Sequence, residues 1–299
     1  MTKLNVLLGD YPHTRAVKES GLDCDFPTST PLYAAFARMV RRLEYDVCEM
    51  ALATYLQARE AGVPITLIPV VLVGGPHHRS LTRLPGGPRL TPRDLVGRRV
   101  GVRSYSQTTG LWVRGILREE YGIESSEITW VTTEGPHVVQ YQEPAYVERS
   151  SATEVADLLR DGDVAAAVLG LRAVGGQGKG LVPVIEDADA AGLAWIERHG
   201  TIPANHLVVV RDEVLRADPD AVRAVYRALA AGIAATSGER GDTPAGRAVT
   251  AGWSEPLAKS LEIGAQYALE QELVRSPVDI GAIERDAALF DDAAFEERS

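Results

Sequence analysis

Two cysteines, Cys24 and Cys48, are all that the 299 residues contain. So few cannot form a disulfide framework, and they suit a reducing compartment as ordinary half-buried thiols. Basic runs are missing too. No lysine or arginine run exceeds a dipeptide, and 41 acidic residues against 31 basic ones give a formal charge of -10. That charge repels polyphosphate, so nucleic acid is not an expected partner. The longest apolar stretch, Leu67 to Val73, is broken by Pro69 and falls far short of the roughly 20 residues that span a bilayer, so no membrane partner is expected either. The first residues show no basic segment, long apolar segment or small-residue cleavage site, which predicts a cytoplasmic protein. No H-x-x-x-H, H-x-x-E-H or C-x-x-C spacing occurs, so no metal and no other cofactor is expected. Oligomeric state stays open, a homo-oligomer included.

What the chain does have is 45% hydrophobic residues, enough to bury a proper core in one large domain or two medium ones. Strand-like runs alternate with helix-like ones, the order that builds parallel sheets covered by helices. Leu4 to Leu8 reads as a strand. Thr30-Pro31 then reads as a helix start, with Phe36, Met39, Val40 and Leu43 on one face. Asp46 to Met50 is a short strand, a helix runs from about Thr54 to Ala61 and stops at Gly62, and Ile65 to Val73 is a strand buried on both faces. A Pro/Gly cluster from Leu84 to Arg93 marks a change of unit, and the rhythm restarts. Arg99 to Arg103 is a strand, Ser106 to Tyr121 a helix, and Ile128 to Thr132 a strand. Ser151-Ala152-Thr153-Glu154 has capping-box spacing before the next helix, and Val164 to Leu169 is again a strand. Residues 172–204 read as Gly-rich and irregular. Leu207 to Val210 is a strand, Asp218-Pro219 opens a long helix, and the chain is helical by period from Pro256 onward.

Polar residues collect at the ends of these strands: Gly9 to Thr14, Glu49, His77-His78-Arg79, Ser104 to Gly110, His137 and Pro203-Ala204-Asn205-His206. Carboxyl ends of strands in open α/β sheets are where ligands bind. These segments, in this order, resemble the 4,5-dihydroxyphthalate decarboxylase family, itself similar to the type 2 substrate-binding proteins of ABC transporters. The most specific parts are Val100-Gly101-Val102-Arg103-Ser104-Tyr105-Ser106-Gln107-Thr108-Thr109-Gly110, Ile128-Thr129-Trp130-Val131-Thr132 and Asp46 to Leu56. The resemblance implies a two-lobed α/β fold like the type 2 periplasmic binding proteins, each lobe a sheet flanked by helices, with a ligand cleft between them. Lobe one would comprise residues 1–85 and 206–299, lobe two residues 86–205. It further implies an enzyme that decarboxylates a small aromatic carboxylate such as 4,5-dihydroxyphthalate. The segment after His13 is shorter than the family pattern, so the cleft wall near Glu19 to Asp25 is expected to differ.

Decarboxylating an electron-rich arene needs an anion anchor, a general acid and a group that polarises the phenol proton. The helix start at Ser104 to Gly110 is the expected anchor: free backbone N–H groups and the positive dipole end face an anion there, and Ser104, Ser106, Gln107, Thr108 and Thr109 add donors. A plain helix cap by Ser106 or Thr108 would explain one hydroxyl of that run. Arg79 and Arg103 are candidates for a second carboxylate, with solvated surface arginines as the alternative. His13, directly after the first strand, is the first choice for the acid, and His206 the second. Glu49, set among apolar neighbours, is the expected partner of a histidine or phenol. Tyr11 and Tyr105 are candidates to flank the ring, His78 and His137 weaker ligands, and Trp112 and Trp130 core residues. A non-catalytic solute-binding protein, or a decarboxylase of another hydroxyaromatic acid, fits the same residues.

Overall fold

The computed structural model describes residues 3–87, 89–170 and 180–290. Its strands in chain order are β1 (Leu4–Leu7), β2 (Cys24–Asp25), β3 (Val47–Ala51), β4 (Ile65–Gly74), β5 (Leu81–Arg83), β6 (Arg99–Val102), β7 (Thr129–Thr132), β8 (Val147–Arg149), β9 (Ala166–Val168), β10 (Val182–Pro183), β11 (Ala204–Arg211) and β12 (Thr250–Ala251). The helices are α1 (Pro12–Lys18), α2 (Tyr33–Arg42), α3 (Leu52–Glu60), α4 (Thr108–Tyr121), α5 (Val155–Arg160), α6 (Ala188–His199), α7 (Asp212–Ala217), α8 (Pro219–Ala235), α9 (Ser237–Arg240), α10 (Pro244–Arg247), α11 (Glu255–Glu270) and α12 (Ile280–Ala287). Two six-stranded sheets result, ordered β12-β4-β11-β3-β1-β2 and β10-β5-β9-β6-β7-β8. The architecture is α/β with two helix-flanked sheets, the class expected from the sequence.

Both sheets are mixed, where the strand-helix rhythm predicted parallel ones. β1 lies parallel to β2 and β3, but β11 enters the first sheet antiparallel to both β3 and β4. The reason is topological: β11 returns from the second sheet rather than through a local helix crossover. Other corrections are local. Residues 172–204 contain α6, whose buried residues Ala188, Gly192 and Trp195 are interspersed with exposed apolar ones such as Leu193, so no single apolar face shows in sequence; residues 171–179 lie outside the described part. Helix α5 has Glu154 at its start with no side-chain cap, so the expected capping box does not form. Asp218 does cap α8, its carboxylate accepting the amide of Ala221 at 3.0 Å. Nor does any of residues 19–25 line the cleft, because β2 is the outer strand of the first sheet.

A continuous apolar cluster runs through both sheets and includes Leu7, Met50, Leu56, Val102, Trp112, Trp130, Trp195 and Tyr267. Helix α11 approaches α4 so closely that a methyl group at Gly115 would come within 1.9 Å of the Tyr267 ring. Glycine is required there by close approach rather than by backbone angle. Truncating a buried aromatic such as Trp112 would cost about 3–5 kcal/mol by the usual cavity penalty. Two chain crossings join the sheets, one before β5 and one before β11, and they touch through the Gly75 N–H bonded to the Pro203 carbonyl at 3.0 Å. Trp112 Nε1 donates to the Ala204 carbonyl at 2.9 Å beside that crossing. Among the described residues no helix is long and apolar enough to cross a membrane.

Candidate active site

A cleft of about 320 Å³ opens between the sheets, lined on one side by residues of β3, α2, α3 and β11 and on the other by the turn before α4, by α4 itself and by residues 133–155. That volume suits a small organic ligand.

On the first wall stands Glu49, wholly buried in the middle of β3. Burial would raise its carboxyl, yet hydrogen bonds from His206 and the charge of that ring, then bonds from Tyr11 and the Gly9 amide, outweigh burial and hold it below the usual range. The distances are 2.5 Å from His206 Nδ1, 2.7 Å from Tyr11 Oη and 2.7 Å from Gly9 N. Three donors satisfy a charge that burial otherwise makes costly. The turn after β1 is shaped for this: a methyl group at Gly9 would lie 2.6 Å from the Tyr11 ring, so only glycine lets that ring fold back to the carboxylate. His206 owes its position to β11. The pairing of β11 with β4 shifts register around Ala204, His206 and Leu207, and such irregularities re-aim side chains. With Nδ1 on Glu49, Nε2 has no protein partner among the described residues, and the ring, 22% exposed, lines the cleft. Phe36 meets the ring edge-on at 5.2 Å.

The second wall is built of donors. Residues Ser104 to Gln107 turn tightly, Gln107 N bonding Ser104 O at 3.0 Å, and α4 starts at Thr108. The amides of Thr108, Thr109 and Gly110 have no acceptor among the described residues, as expected of a first helical turn. Ser106, Gln107, Thr108 and Thr109 all line the cleft, and the buried Gln107 Oε1 has no partner among the described residues. Thr108 Oγ1 accepts the amide of Ala53 at 3.0 Å, so the starts of α3 and α4 meet at the cleft from opposite sheets. Two positive dipole ends therefore converge there. Arg103 adds charge: its guanidinium lies 3.7 Å over the Tyr33 ring and bonds Glu134 at 2.7 Å. His137 bonds Thr54 Oγ1 through Nδ1 at 2.9 Å. Burial, then the charges of Arg103 and Arg41, push it down to about 3, so it is neutral near pH 7.

The structure thus gathers Tyr11, Glu49, Arg103, Ser106, Gln107, Thr108, Thr109, His137 and His206 at the cleft, Glu49 acting through Tyr11 and His206. The remaining candidates lie elsewhere. His13 stacks on Tyr11 at 5.1 Å and is buried, outside the lining. Ser104 supports Ser106 from behind at 3.1 Å, and Tyr105 is buried with its hydroxyl on the Gln271 carbonyl. His78 bonds Glu120 at 3.3 Å, and Arg79 holds Asp189 on the surface. His77 stacks on Trp112, outside the cleft lining. Lining residues not proposed as site residues from the sequence include Tyr33, Phe36, Thr54, Glu134, Glu154 and, though its strand-end run was noted, Asn205. Of these, Asn205 carried a signal, standing beside His206 at a strand end. Phe36 looked like core because its helical spacing is that of a core face.

No protein-family model matches the chain. It is 30% identical over 240 residues to a 4,5-dihydroxyphthalate decarboxylase of Comamonas testosteroni, covering 73% of this chain and 70% of that one. To the protein of the same description from Pseudomonas putida it is 33% identical over 139 residues, 44% of this chain and 54% of the other. Among solved structures it resembles the periplasmic sulfonate-binding protein SsuA of Methylobacillus flagellatus, with a TM-score of 0.64 at 10% identity over 99% of this chain and 95% of that one. It also resembles the desulfurization enzyme DSZB, with a TM-score of 0.61 at 16% identity over 99% and 100%. These likenesses speak for the fold, which proteins described as binders and as an enzyme both use.

Proposed function

The chain belongs to the 4,5-dihydroxyphthalate decarboxylase family, and from that premise we propose that it decarboxylates a hydroxylated aromatic dicarboxylate without a cofactor, with 4,5-dihydroxyphthalate giving 3,4-dihydroxybenzoate and carbon dioxide as the first candidate. One observation carries the reading: a carboxylate-oriented histidine faces, across a small cleft, a helix start whose donors are unused. Binding an anion needs only the second feature.

In this reading one substrate carboxylate sits on the amides of Thr108 to Gly110 with the side chains of Gln107 and Thr109, and Arg103 exchanges Glu134 for the other. Phe36 and Tyr33 flank the ring. Protonated His206 delivers its Nε2 proton to the ring carbon bearing the leaving carboxylate, while Glu49 orients the imidazole and balances its charge. A hydroxyl para to that carbon, its proton drawn toward Glu134 or Glu154, feeds electrons into the ring. The C–C bond then breaks, its electron pair restores aromaticity, and carbon dioxide leaves. His206 takes the role that sequence position suggested for His13, because His13 lies behind Tyr11. The two lobes, expected from the sequence as residues 1–85 with 206–299 and residues 86–205, are divided in this reading at the crossings before β5 and β11, and they close on the ligand.

Incubating the purified protein with 4,5-dihydroxyphthalate and related hydroxyaromatic acids, following carbon dioxide and product, tests the proposal. Turnover of one of them is the expected result, and the acid turned over fastest identifies the substrate. Tight binding with no carbon dioxide from any of them would favour the solute-binding alternative, to which the SsuA-like fold lends itself.

A further inference from the structure

Behind the anion-facing turn lies a charge that the proposed chemistry does not yet use. Arg114 sits one helical turn after Gly110 on α4 and is 1% exposed. Side chains on a helix lean back toward its N-terminus, and this one does so: a methyl group at Gly110 would come within 2.9 Å of Nη1. Its contacts are all neutral. Nη2 donates to the Tyr105 carbonyl at 2.7 Å and Nε to Gln271 Oε1 at 2.7 Å, and the guanidinium lies over the rings of Tyr105 at 3.9 Å and Trp130 at 5.2 Å. Nη1 has no acceptor, and no carboxylate pairs with the group, among the described residues. Burial lowers its pKa, but a guanidinium stays charged in proteins.

An unpaired buried cation is costly, and arginines as buried as this one are normally matched by an acid. Here the matching acid is missing from the chain, and the uncapped Nη1 lies beneath the very turn whose amides face the cleft. We infer that Arg114 is a positioning residue whose buried charge completes the anion seat at the start of α4, the missing counter-charge being the carboxylate of a bound aromatic acid. The inference rests on the reading of that turn as the carboxylate site. Through Gln271, at the end of α11 beside the first sheet's helices, the same guanidinium ties the seat to the facing lobe. Its low-dielectric surroundings let the charge act over several ångströms.

Titration calorimetry with phthalate, benzoate and benzamide, unreactive probes carrying two, one and no charges, tests this on wild type, R114M and R114K. R114M should weaken phthalate on the order of 100-fold, benzoate about tenfold and benzamide less than twofold, because a charge interaction scales with ligand charge. R114K should keep the wild-type ranking with a smaller loss. If R114M does not fold, R114Q, which keeps hydrogen bonding without charge, gives the same reading. Equal losses for all three probes would reveal a merely structural role and overturn the inference, as would undiminished phthalate binding. A wild-type protein that binds none of the probes overturns both this inference and the anion site. Wild-type protein that binds phthalate but turns over no hydroxylated acid sinks only the decarboxylase reading, and the ranking in R114M still decides the role of Arg114.

Discussion

The two walls of the cleft are made of different chemistry. The wall on the first sheet holds groups that can change charge, His206 and Glu49, locked to each other at 2.5 Å and steadied by Tyr11 and Gly9. The wall before and within α4 holds fixed donors, amides and hydroxyls, with a guanidinium at its edge and another behind it. In the proposed reading, proton handling and anion capture therefore fall on opposite walls. Separated in this way, a binding fold can gain a reaction by altering one wall while the other goes on holding the ligand.

The largest expected effect is on the titrating wall. His206→Gln should lower kcat by about 10²–10⁴-fold, the usual worth of a general acid, and move KM less than about threefold. Glu49→Gln should follow with a smaller loss of kcat and about 1–3 kcal/mol of stability, since its three donors lose their charged acceptor. Steady-state kinetics on both, with His13→Gln as control, checks this; a loss of turnover in His13→Gln equal to that in His206→Gln would sink the assignment of the acid. On the donor wall, Gln107→Leu and Thr109→Val should each raise KM on the order of tenfold and leave kcat nearly unchanged, as expected when one hydrogen bond to a charged ligand is lost. Should kcat fall instead, the division of labour between the walls is mistaken.

A separate effect concerns acid stability. Burial keeps His137 in the cleft and His77 in the crossing before β5 neutral in the fold, both down at about 3, the charge of His78 adding at His77. The unfolded chain takes up these protons near pH 6.5, so the stability they contribute is complete above that value and declines as pH falls toward 3. Between pH 7 and 5 each should cost about 2 kcal/mol. Glu49 acts in a lower window: its carboxyl is held below 4.5, so its contribution persists above that value and is lost only on further acidification. Urea unfolding at pH 7 and pH 5 should therefore show a smaller drop for His77→Asn than for wild type. An unchanged drop would mean that His77 is protonated in the fold.

Much of this molecule was legible in its sequence because local rules made it so. Periodicity marked β3, β4, β6, β7, α4 and α8, since each has an apolar face or run that must be buried. The polar runs Ser104 to Gly110 and Asn205-His206 stood at strand ends, where open sheets bind ligands, whereas Glu49, read near a strand end, lies in the middle of β3. Sequence position put His13 ahead of His206, because His13 directly follows the first strand, and it carried no sign of which ring reaches the cleft. In the proposed reading the acid is His206, positioned by a shifted register in β11 and by the absence of a side chain at Gly9, both of which act only when distant strands pair. Arg79 and Arg103 read alike as well, until folding set one on the surface beside Asp189 and the other in the cleft over Tyr33. The same holds for Arg114: in sequence it is one polar residue in a helix, and its isolation as a charge exists only because Tyr105, Trp130 and Gln271 close around it. Periodicity is a property of neighbours along the chain, whereas burial, hydrogen-bond partnership and electrostatic balance are properties of residues far apart in it, and tertiary structure alone decides those.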